Sequence, residues 1–130
     1  MRSNVCHSSC VCNAQIQRLS GQWESAEYST FSISDEAGKY RLSVSGYSGD
    51  AVDALADARP DIWKADGMQF STPDQDNELN PDVNRGAVCG CGWWYGDLSH
   101  SRLTDDNTAR WRLEWGDTDV QFSRMLVRTN

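Results

Sequence analysis

The sequence predicts a strand-rich α+β domain with a large irregular portion. Two segments, 26–34 (AEYSTFSIS) and 39–47 (KYRLSVSGY), alternate apolar and polar residues. One stretch alone, 50–58 (DAVDALADA), has helical spacing, and 72–92 has no apolar period at all. A period of two marks a strand with one buried face, because successive side chains leave the backbone on opposite sides.

Residues 1–14 are polar and aperiodic and read as a leader or linker without fixed structure. Residues 15–19 alternate weakly. In 26–34, Tyr28, Phe31 and Ile33 supply the apolar positions of a strand. Asp35-Glu36-Ala37-Gly38 is a turn signal. The next strand sets Tyr40, Leu42 and Val44 on one face, and Gly46 and Gly49 bracket the loop that follows. Over 50–58, Asp50 is a candidate helix cap, with Val52, Leu55 and Ala56 on the apolar side and Pro60 as the stop. A short strand is expected around Met68 and Phe70. The stretch 72–92, rich in Asp, Asn, Pro and Gly, reads as a long loop. Two closing strands are expected over 110–115 and 120–128.

The length of 130 residues suits one domain. Hydrophobic residues make up only 38 %, so six Trp and four Tyr must carry much of the packing. A net charge of -7 argues against nucleic acid and anionic membrane surfaces, both of which need clustered Lys and Arg. No apolar run is long enough to span a bilayer, and no apolar core follows Arg2, so no signal peptide is read. Five cysteines, Cys6, Cys10, Cys12, Cys89 and Cys91, leave one thiol over in an oxidising compartment. Incidental thiols fit the spacing better than zinc, which favours two well-separated ligand pairs.

Asp74-Gln75-Asp76-Asn77-Glu78 places three carboxylates at alternate positions, a spacing that can converge oxygens on calcium. Asn80 and Asp82 could add further oxygens. The pattern is not that of an EF-hand, and a solvated acidic turn is the competing reading.

Several of these stretches, taken in order, resemble the fibrinogen-related domain found at the ends of fibrinogen chains and in ficolins, tachylectins, angiopoietins and tenascins. AEYSTFSISDEAGKYRLSVSGYSGDAVDAL, DGMQFST followed by DQDNE, GWWY and SRMLVR each match a motif of that family. The resemblance covers about residues 15–128 and implies a partial domain over 15–130: a twisted antiparallel sheet with a short helix and a loop-rich calcium and pocket region. It implies calcium held by Asp76 and Glu78, with carbonyls from Asn80 and Asp82, and Glu78 stands where the family has Asp. It also implies a ligand pocket built from Trp94, Tyr95, Asp97, Leu98, Ser99 and His100. The partner would be an acetylated sugar or an extracellular protein, and the setting extracellular.

The departures are equally specific. The family's opening subdomain has no counterpart here, which would leave sheet edges exposed. The pocket disulfide would need cysteines near Gly86 and at Leu98, and neither is present. Cys89 and Cys91 stand too close together to close that loop. The family's Cys-His pair aligns with Leu98-Ser99, so His100 lies one position late. Residues 56–65 read as an insertion, and 104–109 as a shortened pocket stretch.

Trp93, Trp111 and Trp115 are expected in the core and Trp63 as a local anchor, while Trp94 and Tyr95 are open to either role. No nucleophile elbow or HExxH motif occurs, so a binding module is expected and not an enzyme. The alternative is a degenerate relative that keeps the scaffold as a structural or interaction domain without a competent pocket.

Overall fold

The computed structural model describes residues 10–57, 64–78, 84–96, 101–104, 109–112 and 120–129. Four strands form one antiparallel sheet: β1 (Cys10–Arg18), β2 (Trp23–Ile33), β3 (Leu42–Gly49) and β6 (Val120–Thr129), in the order β3-β2-β1-β6. A second, two-stranded sheet pairs β4 (Ser101–Arg102) with β5 (Arg110–Trp111), and among the described residues one α-helix, α1, spans Arg85–Cys89. The fold class is therefore mostly antiparallel sheet with one short helix, and the helix is not where the sequence predicts it.

β1 begins at Cys10, inside the segment read as an unstructured leader. Its burial alternates strictly, with Cys10, Cys12, Ala14 and Ile16 facing the core. It pairs on both sides, with β2 and with β6. Against β1 the register of β2 slips by one residue between Tyr28 and Phe31. This bulge lets Ala26, Tyr28 and Phe31 all point inward although they do not share one period. Across the same stretch, Gly46 of β3 takes φ 73°, and a Cβ there would lie 1.8 Å from Ser29 Oγ. Gly46 and Gly49 thus both lie within β3, where Gly49 pairs with Ala26, and do not bracket a loop.

Residues 50–57 do not form a helix, because the local oxygens are engaged elsewhere. Asp50 Oδ1 accepts from Ser25 N at 2.8 Å, tying the segment to β2. Asp53 Oδ1 accepts the Tyr28 hydroxyl at 2.7 Å as well as Ala56 N at 3.0 Å. Ala51, Ala54 and Leu55 are buried on the sheet. The strand expected around Met68 is reduced to a single bridge, Ser71 to Trp93. Trp93 and Trp111 lie in the core as expected, with the Trp111 indole donating to Val52 O at 2.7 Å and that of Trp93 to Ser101 Oγ at 3.0 Å. Trp63 and Trp115 fall outside the described residues. β6 ends the strand order and leaves Phe122, Leu126 and Val127 exposed.

Candidate functional site

Trp93 exchanges both backbone hydrogen bonds with Ser71. A Cβ at Gly92 would stand 2.8 Å from the Phe70 ring, so only glycine permits this approach. Trp94 then projects over the β2–β3 connection. Its indole N–H donates to Tyr40 O at 2.8 Å, and its ring meets Phe70 edge-on at 5.2 Å and Phe31 at 6.5 Å. The connection itself is unusual. Lys39 and Tyr40 are both left-handed, at φ 58° and 54°, a costly conformation for side chains of this size. Phe70 N to Lys39 O and Tyr40 N to Asp35 O hold it in place. Tyr40 therefore leaves the face of Leu42 and Val44, where period two had put it, and stands exposed.

Together these residues enclose a hollow of about 350 Å³, lined by Ile33, Tyr40, Phe70, Thr72, Gln75 and Trp94. Its walls are mostly apolar, with Thr72 and Gln75 at the edge nearest the acidic loop. Such a lining, apolar with a few polar groups, is the usual make-up of a small-ligand site. A second depression, around Trp23 and Arg124, is less suited. Its polar groups are already engaged: Arg124 Nε donates to Gln15 Oε1, and Glu24 pairs with Arg18.

The acidic loop is held by bonds within the chain. Thr72 Oγ1 donates to Asp74 Oδ1 at 2.7 Å, and Glu78 N to Asp76 Oδ1 at 3.0 Å. Asn77 Nδ2 donates to Phe70 O at 2.7 Å. The Glu78 side chain, expected on a cation, is fully buried and paired with Arg85: Arg85 Nη1 stands 2.6 Å from Oε1, and Arg85 N donates to Oε2. Arg85 Nη1 also reaches Gly96 O at 3.4 Å, joining the acidic loop to the end of the Trp-Trp-Tyr segment.

α1 seats this arginine. Asn84 caps the helix by accepting from Ala87 N at 3.1 Å. Gly86 packs so closely that a Cβ would lie 2.8 Å from the Thr72 carbonyl. Among the described residues no three His, Cys, Asp or Glu side chains converge as a metal site would require. Of the expected calcium set, Asp76 and Glu78 are described, and here the Glu78 carboxylate is paired with Arg85. Asn80 and Asp82 lie outside the described residues.

Of the expected pocket residues, Trp94 lines the hollow. Tyr95 does not: it is buried at 1 % exposure, and its hydroxyl donates to Cys91 O at 2.7 Å. Asp97, Leu98, Ser99 and His100 lie outside the described residues. Arg85, Tyr40 and Phe70 were not expected at the site, and nothing in their spacing marks them.

The family model described as fibrinogen beta and gamma chains, C-terminal globular domain, matches residues 5–120. The chain belongs to this family of fibrinogen C-terminal domains. As a fibrinogen-type domain it is similar to protein scabrous of Drosophila melanogaster, at 36 % identity over 79 % of this chain and 12 % of the relative. It is similar to angiopoietin-4 of Bos taurus at 30 % identity, over 88 % of this chain and 24 % of the relative. Among solved structures, the fibrinogen-like globe domain of human ANGPTL2 superposes with a TM-score of 0.77 at 24 % identity, covering 95 % of this chain and 59 % of that one. The chain thus spans a quarter or less of these two curated relatives, and the superposition speaks to the fibrinogen-type fold alone.

Proposed function

We propose that this fibrinogen-type domain is a recognition module that takes an acetylated glycan, or an equivalent small apolar group on a protein, into the hollow walled by Trp94. The observation that carries this reading is the fixing of Trp94. Tyr40 O, Phe70 and Phe31 hold the indole at the junction of the acidic loop and the β2–β3 connection, so little ordering cost remains to be met on binding. An acetyl methyl suits the apolar walls, and Thr72 and Gln75 suit its carbonyl and the sugar hydroxyls.

Family membership supports binding over catalysis. The disulfides at Cys10 and at Cys89–Cys91 support an oxidising, extracellular setting. In this reading Arg85 supplies the positive charge beside Glu78, and the hollow works without calcium.

Isothermal titration with N-acetylated and non-acetylated sugars tests the proposal. Saturable heat from the acetylated sugars, unchanged in EDTA and lost in Trp94→Ala, is expected. No heat from any acetylated sugar or from an N-acetylated peptide with folded protein would overturn it.

A second reading, an interaction domain without a working pocket, is favoured by the exposure of Phe122, Leu126 and Val127 on β6, the last strand of the sheet among the described residues. Concentration-dependent self-association abolished by Phe122→Lys, together with absent sugar binding, would select it.

A further inference from the structure

We propose that Cys89-Gly90-Cys91 is a redox-active disulfide that exchanges with small thiols of the glutathione class. The two cysteines are bonded to each other across a sequence separation of 2. A disulfide stabilises a fold chiefly by closing a long loop of the unfolded chain, so one that closes so short a loop adds the least. Opening it therefore leaves the fold's main supports untouched: the four-stranded sheet, the Trp93–Ser71 bridge and the Arg85–Glu78 pair.

Access is built in. The pair lies at the C-terminal end of α1, where Gly90 caps the helix at φ 69° and is exposed. Nothing lies within 4 Å of where Gly90 would carry a Cβ, and neighbouring Val88 is 82 % exposed. Cys89 is partly exposed, whereas Cys91 is buried at 6 % exposure. Cys89 is thus the more exposed residue of the two and the one assigned as the point of attack.

The second sulfur has a partner suited to a leaving group. Tyr95 Oη stands 3.1 Å from Cys91 Sγ and 3.2 Å from Cys89 Sγ. In the disulfide the phenol hydrogen goes to Cys91 O at 2.7 Å, and from there it can turn to Cys91 Sγ once that sulfur carries charge. When a glutathione-class thiolate attacks Cys89 Sγ, the S–S bond breaks, a mixed disulfide forms on Cys89, and Cys91 departs as a thiolate with the phenol O–H beside it. Stabilising that thiolate makes Cys91 the better leaving group. A second thiolate then attacks the mixed disulfide and releases Cys89. In sum, two thiols give one small-molecule disulfide and two protein thiols. Two electrons pass to the protein, and solvent protons complete the thiols. Cys12, the one free thiol among the described cysteines, is buried and takes no part.

The test equilibrates folded protein in buffers of graded reduced-to-oxidised glutathione, followed by acid quench, alkylation and peptide mass spectrometry. The peptide carrying Cys89 and Cys91 is expected to gain two alkyl groups while circular dichroism stays unchanged. A pair that reduces only once denaturant unfolds the chain would overturn the proposal. In oxidised glutathione, Cys91→Ser is expected to hold one glutathione on Cys89, whereas Cys89→Ser takes none on Cys91. Equal labelling of both variants would contradict the assigned direction of attack. Tyr95→Phe, which keeps the ring, is expected to require about tenfold more reduced glutathione to reach the midpoint. An unmoved midpoint would remove the phenol's part.

Discussion

Arg85 and Glu78 form a closed ion pair that joins the acidic loop to α1, with the Glu78 side chain removed from solvent and both of its oxygens engaged by one residue. Removing one partner strands the other charge in a dry site, which typically costs about 3–5 kcal/mol. Replacing both by apolar groups of similar volume costs far less. Urea unfolding of Glu78→Met, Arg85→Met and the double variant is expected to show two large losses and a double variant more stable than either single. Simple additivity would mean that the pair is not coupled.

The same pair sets an expectation for calcium. With Glu78 paired to Arg85, calcium is expected to gain little at this loop, and binding to the native state is what would raise the melting temperature. Melting temperatures in millimolar calcium and in EDTA are expected to coincide. A rise with calcium, saturating with concentration, would show that the loop binds it.

Two buried groups are expected to weaken the fold at alkaline pH. Burial pushes the Cys12 thiol up from 9.0 to about 11. Burial, reinforced by the bond to Asp53, pushes the Tyr28 phenol well above its ordinary value of 10.0. Both groups stay neutral in the folded protein and ionise more readily once unfolded. The unfolded chain then holds fewer protons, and stability falls as pH rises. Stability owed to Cys12 is complete below pH 9.0 and lost towards about 11. Cys12→Ala is expected to flatten the loss of stability over that window, measured by denaturant midpoints. An unchanged slope would contradict the burial of the thiol.

Gly49 is where β3 meets the turn into Ala51. It takes φ 128°, and a Cβ there would lie 2.3 Å from Ser25 O, a backbone atom that cannot step aside. Gly49→Ala is expected to cost more than about 2 kcal/mol from strain and contact together. A denaturant midpoint close to that of the unaltered protein would refute this pairing of β2 and β3.

Much of the sheet is legible in the sequence, and the exceptions have physical causes. β2 announces itself through Tyr28, Phe31 and Ile33. β1 does not, because its inward residues are Cys10, Cys12, Ala14 and Ile16, small or sulfur-bearing groups that make a faint stripe. The helix read over 50–58 fails because Asp50 and Asp53 bind Ser25 and Tyr28 across the fold, contacts no local pattern reveals. α1 goes unread because its support is not periodicity but the Asn84 cap and the left-handed Gly90. At the site, motif order brings Trp94 and the acidic loop to notice. Tyr40 escapes because alternation places it with Leu42, while two successive left-handed residues turn it outward.

The most direct test of recognition at the Trp94 hollow is a two-dimensional NMR titration of the indole N–H signals with an N-acetylated sugar. The Trp94 signal, tied to Tyr40 O, is expected to shift saturably along with the amides of Thr72 and Gln75, while the Trp111 indole signal, sealed in the core against Val52 O, stays still. Shifts confined to the Trp23–Arg124 depression, or no saturable shift at Trp94 with any acetylated sugar, would contradict it.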